Sequence, residues 1–69
     1  MTDYTEAARR EATARLADGS EWDIHLVAPG TDGWNIPLIR AYDYTDVAMY
    51  WSTDGTAISA DADIVEIVG

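Results

Sequence analysis

From residue 12 onward the chain is dominated by alternation. Apolar side chains at Ala12, Ala14, Leu16, Trp22, Ile24 and Leu26 are separated by polar or charged ones at Thr13, Arg15, Glu21, Asp23 and His25. That period of two is the signature of half-buried strands. Asp18-Gly19 divides the run, and Asp-Gly between apolar segments marks a hairpin because glycine takes the positive φ the turn requires. A three-residue loop, Ala17-Asp18-Gly19, sets Leu16 opposite Ser20, Arg15 opposite Glu21, Ala14 opposite Trp22 and Ala12 opposite Ile24. In that register the even positions share one face, and Arg15, Glu21, Asp23 and His25 share the other. Arg15 and Glu21 then form a favourable cross-strand pair.

The segment before this hairpin reads differently. Glu6-Ala7-Ala8-Arg9-Arg10-Glu11-Ala12 is built from strong helix formers. The pattern predicts a helix over about 3–11 and a strand starting near 12. The competing reading is a longer helix, 4–17, with Tyr4, Ala8, Ala12 and Leu16 as its apolar stripe and Gly19 as its cap.

Further along, Pro29-Gly30-Thr31-Asp32-Gly33 predicts a loop. Residues 34–42 predict a strand with apolar side chains on both faces around Leu38-Ile39. Pro37 lies inside it and donates no ladder hydrogen bond, so the strand is expected at an edge or with a bulge. A strand over 47–52 places Val47, Met49 and Trp51 on one face and Ala48, Tyr50 and Ser52 on the other. The turn Thr53-Asp54-Gly55 then pairs Ser52 with Thr56 and Tyr50 with Ile58. Residues 60–63 form a short connector, and 64–68 predict a mostly buried closing strand.

The expected fold is mainly β. It is a small SH3-like antiparallel barrel or bent sheet of five or six short strands, preceded by a short N-terminal helix. The alternative is α+β, with helix 4–17 packed on a three- or four-stranded antiparallel sheet. Either way, 69 residues make one small domain, with a helical or flexible segment 1–11 and a β core 12–68.

Charge narrows the partners. The net charge is −9 at pH 7, and the basic residues are Arg9, Arg10, Arg15 and Arg40. Phosphate backbones are bound through clustered Lys and Arg, so direct nucleic-acid binding is not expected. Anionic membrane surfaces are disfavoured on the same ground, whereas a basic or amphipathic protein surface would be steered in. The chain has no Cys, so it has neither a disulfide nor a thiolate metal site. No apolar run approaches the ~18 residues of a membrane span, and the first residues lack the basic and apolar regions of a signal peptide. A cytoplasmic location is the expectation. The absence of Lys and Phe points to a GC-rich genome.

The order Leu16, Asp18-Gly19, an alternating apolar strand, Pro37 within the next strand, Asp54-Gly55 and then Asp63-Ile64-Val65 resembles small phage-encoded proteins with an SH3-like β-barrel. The resemblance covers about residues 13–68. It implies an accessory protein, and some proteins of that kind bind and inhibit host defence or replication machinery. It carries over no functional residues.

Little in the chain points to catalysis. His25 is the single histidine, and Ser20, Ser52 and Ser59 are the candidate nucleophiles. In the first hairpin His25 is too far along its strand from Ser20 to activate it, so it reads as an exposed strand residue. Asp43, Asp46, Asp54, Asp61 and Asp63 match neither a paired-carboxylate site nor a calcium loop. Gly30 and Gly33 precede no helix that could cradle a phosphate. The chain is therefore expected to have no catalytic residues, no metal and no cofactor, and not to be an enzyme.

The aromatic residues say more. Three Trp and four Tyr exceed what so small a core can enclose, so some must reach solvent, where aromatic side chains make binding patches. The candidate partner-binding residues are Trp34, Tyr42, Asp43, Tyr44 and Asp46. Trp34 and the Tyr42–Asp46 group lie at opposite ends of one segment. The second group is the stronger choice, because tyrosines among carboxylates suit an arginine. The leading expectation is a non-enzymatic protein-interaction module, in the phage form an inhibitor or modulator of a host protein. The alternatives are an acidic nucleic-acid mimic built on Glu21 with Asp23 or Asp61 with Asp63, and a homo-oligomeric structural phage component. Leu38-Ile39 on an edge strand would favour a homodimer.

Overall fold

The computed structural model describes residues 2–69; Met1 lies outside the described residues. A short helix, α1 (Thr5–Arg9), precedes strands β1 (Thr13–Leu16), β2 (Glu21–Asp23), β3 (His25–Val27), β4 (Leu38–Tyr42), β5 (Ala48–Trp51) and β6 (Ile64–Ile67). A single 3-10 turn, Thr31–Gly33, lies between β3 and β4. The strands form two three-stranded antiparallel sheets, ordered β2-β1-β6 and β3-β4-β5. Of the barrel and the bent sheet, the chain adopts the bent arrangement, because the sheets do not close on each other.

Helix α1 begins where Asp3 Oδ1 accepts hydrogen bonds from the Thr5 amide and hydroxyl. Glu6 in the first turn and Arg9 in the last match the helix dipole in sign. It ends in a Schellman motif, with the Glu11 amide bonded to the Ala8 carbonyl and the Ala12 amide to the Ala7 carbonyl. Glu11 takes the left-handed position usual for glycine there, at φ 57°. The helix therefore stops well short of residue 17, and residues 13–16 are a strand.

The first hairpin has the expected register. Thr13 pairs with Asp23, Ala14 with Trp22 and Arg15 with Glu21. The Gly19 amide bonds to the Leu16 carbonyl, and Gly19 sits at φ 89°. Around Asp54-Gly55 the Ser52 amide bonds to the Thr56 carbonyl and the Ile58 amide to the Tyr50 carbonyl, again as expected. One device recurs in the turns. At Asp18, Asp43 and Asp54, as at Asp3, a carboxylate oxygen accepts from the amide of the residue two ahead and from a neighbouring Ser or Thr hydroxyl.

The core lies between the sheets. Tyr4, just before α1, and Ala7 and Ala8 within it meet Ala14 and Leu16 of β1, Ile24 between β2 and β3, Ile39 and Ala41 of β4, Trp51 of β5 and Ile64 of β6. Trp51, Ile24, Leu38 and Ile39 are fully buried. Burial of each aliphatic side chain stabilises the fold by about 1.5–3 kcal/mol. The Trp51 indole N–H donates to the Ala62 carbonyl at 2.8 Å, so its polar atom is satisfied.

Three expectations are corrected. Residues 34–37 are not part of a strand: β4 starts at Leu38, immediately after Pro37, and is the central strand of its sheet rather than an edge. Leu38 and Ile39 do not form an apolar edge: both are buried within the chain itself. Residues 64–68 are not mostly buried either. Ile64 enters the core, while Val65 on the edge strand β6 and Val68 just beyond its end are exposed.

Candidate functional site

Strands β2 and β3 are one stretch of chain that changes partner at Ile24. The Ile24 amide bonds to the Ala12 carbonyl, holding β2 against β1. From His25 onward the chain pairs instead with β4, His25 opposite Arg40 and Leu26 opposite Ile39. If that register ran on, Asp23 would lie opposite Tyr42 and Glu21 opposite Tyr44. It does not, because β2 has turned away to join the other sheet. The two arms separate like a fork, and a solvent-open cleft of about 320 Å³ fills the space between them. Glu21, Trp22 and Asp23 line one side, Tyr42 and Tyr44 the other, and His25 completes the lining.

The rings set the shape of the cleft. Trp22 and Tyr44 have centroids 5.0 Å apart at an interplanar angle of 52°, a tilted pairing typical of aromatic contacts. Trp22 is half-buried, and its indole N–H donates to the Ser20 hydroxyl at 3.1 Å. Tyr44 is 94% exposed despite the ring contact. Deeper along β4, the Arg40 guanidinium carbon lies 5.2 Å from the Tyr42 ring centroid.

The carboxylates are anchored from behind. Glu21 Oε2 accepts from Arg15 Nε and Nη2 at 3.3 and 3.2 Å, and Arg15 also pairs with Glu66. Asp23 Oδ1 accepts from the Thr13 hydroxyl at 2.6 Å. His25 Nδ1 lies 3.2 Å from Glu11 Oε1, so the left-handed residue that ends α1 brings a carboxylate to a cleft-lining residue.

The residues singled out in the sequence divide into three groups. Tyr42 and Tyr44 enter the cleft. Asp43 does not line it, because its Oδ1 accepts from the Thr45 amide and hydroxyl and from the Val47 amide, organising the loop that presents Tyr44. The Thr45 hydroxyl bond is the largest cause holding the Asp43 carboxyl below its ordinary pKa, with the two amides adding to it. Asp46 occupies a left-handed turn position at φ 62°. Trp34 follows the 3-10 turn at the far end of the β3–β4 hairpin, away from the cleft.

Sequence reasoning missed Trp22, Glu21, Asp23 and His25 as neighbours of the tyrosines. Alternation assigned Trp22 to the core, and its ring does pack there in part. The available signal was the small Ala14 opposite it, which leaves a large ring at an edge strand incompletely covered.

Among the described residues, no three His, Asp or Glu side chains converge as metal ligands, and no helix is long and apolar enough to cross a membrane. Comparison with family models, curated proteins and solved structures gives no match.

Proposed function

We propose that the chain is a non-enzymatic protein-interaction module that docks a basic or amphipathic protein surface on the fork between β2 and β4. The observation that carries this reading is Tyr44, an almost fully exposed aromatic presented beside the Trp22 ring by a hydrogen-bonded loop. A large ring carried at the surface by an ordered loop spends little backbone entropy on binding, and exposed aromatics are frequent interface anchors. The net charge of −9 supports electrostatic steering of a basic partner. In its finer form, which rests on the likeness to small phage proteins, the module is a cytoplasmic accessory protein that inhibits a host protein.

The nucleic-acid mimic is less well supported. A mimic needs an uninterrupted row of negative charge, and Arg15 sits between Glu21 and Glu66 and pairs with both. The test is photo-cross-linking in the source cells, with p-benzoylphenylalanine replacing Tyr44 and, in a control, Val65 on β6. One discrete protein adduct from position 44 and none from 65 is the expected outcome. Adducts from 65 alone would place the interface elsewhere, and adducts from neither would refute the module.

A further inference from the structure

We infer that the fork is built for one arginine side chain of the partner, taken up as a guanidinium stacked on Tyr44 and bonded to Asp23 and Glu21. This deepens the interaction-module reading and rests on it. Alternate residues on one strand face are about 6.6 Å apart, and Glu21 and Asp23 are such a pair on β2. Each has one oxygen already committed, Glu21 Oε2 to Arg15 and Asp23 Oδ1 to Thr13. Each keeps a second oxygen for an incoming donor. Carboxylates already paired in this way have less side-chain freedom to lose when the ligand arrives.

The rings select the shape of that donor. A guanidinium is flat, weakly hydrated and presents five N–H groups in a planar fork, so it can lie on a ring face while its edge bonds to carboxylates. An ammonium is a compact, strongly hydrated point charge and gains less from a ring. The chain already contains an internal precedent, the Arg40 guanidinium 5.2 Å from the Tyr42 ring that lines the same cleft. Trp22 and Tyr44, tilted by 52°, form an open corner beside it. Because Arg40 occupies the Tyr42 end, the incoming group is assigned to the Tyr44 end.

The test uses acetylated, amidated Gly-Gly-X-Gly-Gly peptides with X as arginine, lysine or the uncharged isostere citrulline. Each is titrated into ¹⁵N-labelled protein at low salt. The expected result is movement of the Trp22 indole N–H and Tyr44 amide signals with the arginine peptide. Its affinity should be at least about fivefold above that of the lysine peptide, with no movement for citrulline. Tyr44→Ala should abolish the arginine preference, and Asp23→Asn should weaken binding by about threefold or more. Equal affinity for lysine and arginine would overturn guanidinium selection while leaving a basic partner in place. Shifts spread over all acidic surfaces, or no shift at Trp22 with any peptide, would overturn the site itself. The interaction module would then stand or fall on the cross-link at position 44.

Discussion

Gly19 and Gly55 occupy equivalent places in two Asp-Gly turns, at φ 89° and 90°, yet their surroundings differ. A Cβ on Gly19 would meet nothing within 4 Å. A Cβ on Gly55 would lie 2.6 Å from Tyr4 Cε2 and 3.0 Å from both Tyr4 Cδ2 and the Ile64 carbonyl oxygen. The Tyr4 ring has little freedom to yield, because the residue is buried and its amide donates to the Thr53 carbonyl at 2.7 Å. The Ile64 carbonyl belongs to β6, whose Ile64 amide bonds back to the Gly55 carbonyl at 2.9 Å. Gly19→Ala therefore incurs only left-handed strain of about 1–2 kcal/mol, partly offset by about 0.4–1 kcal/mol from a less flexible unfolded chain. The net loss is about 1 kcal/mol. Gly55→Ala adds overpacking of about 1–3 kcal/mol, for a loss of about 2–4 kcal/mol. At about 4–8 °C per kcal/mol for a domain of this size, Gly19→Ala should lower Tm by about 6 °C and Gly55→Ala by about two to four times as much. Thermal melts followed by near-ultraviolet circular dichroism measure both. Equal losses would refute the packing of Tyr4 on the second turn.

Three further predictions follow from the turns and the charge. The Asp54 carboxyl is held down to about 2 by the Ser52 hydroxyl first, then by the Thr56 amide and hydroxyl. Because its folded pKa lies below the ordinary value of 3.8, its contribution is complete above about pH 4 and is lost as pH falls through 2. The Tm gap between the parent and Asp54→Ala should therefore be wide at pH 7 and narrow toward pH 2; a constant gap would contradict the turn hydrogen bonds. Asp46→Gly, which relieves a left-handed residue, should raise stability by about 0.5 kcal/mol in chemical denaturation and leave partner affinity unchanged; a loss of affinity would make Asp46 part of the interface. Raising NaCl from 0.01 to 0.1 M shortens the Debye length from about 30 Å to about 10 Å and should raise Tm by screening self-repulsion, while a flat response would show that the carboxylates are locally compensated.

The hairpins were legible in the sequence because strand alternation and Asp-Gly turn chemistry are local and agree with one another. Arg15 facing Glu21 and Ser52 facing Thr56 follow from counting outward from a glycine. The central strand was misread because Pro37 can mark either an edge or a beginning, and only the pairing of β4 with both β3 and β5 decides which. The run Ile64-Val65-Glu66-Ile67-Val68 looks buried by composition, but only one face of an edge strand meets the core, which leaves Val65 exposed, and Val68 lies past the end of β6. The site was half legible. Tyr42 and Tyr44 stood out as aromatics the core could not enclose. Their partners Trp22 and Asp23 come from an earlier hairpin, brought alongside by the change of partner at Ile24. That long-range choice between sheets leaves no local trace.

The central claim is that Tyr44, presented beside Trp22, anchors the partner. It is tested most directly by the affinity of the cross-linked partner, once identified, for the parent and for Tyr44→Ala at about 0.15 M ionic strength, with Tm measured alongside. Because Tyr44 is 94% exposed, truncation should leave Tm within about 4 °C, the scale of a surface substitution. Affinity should fall by about 1 kcal/mol or more, roughly fivefold. An unchanged affinity at unchanged Tm would contradict the account and leave the fork a surface feature with no part in binding.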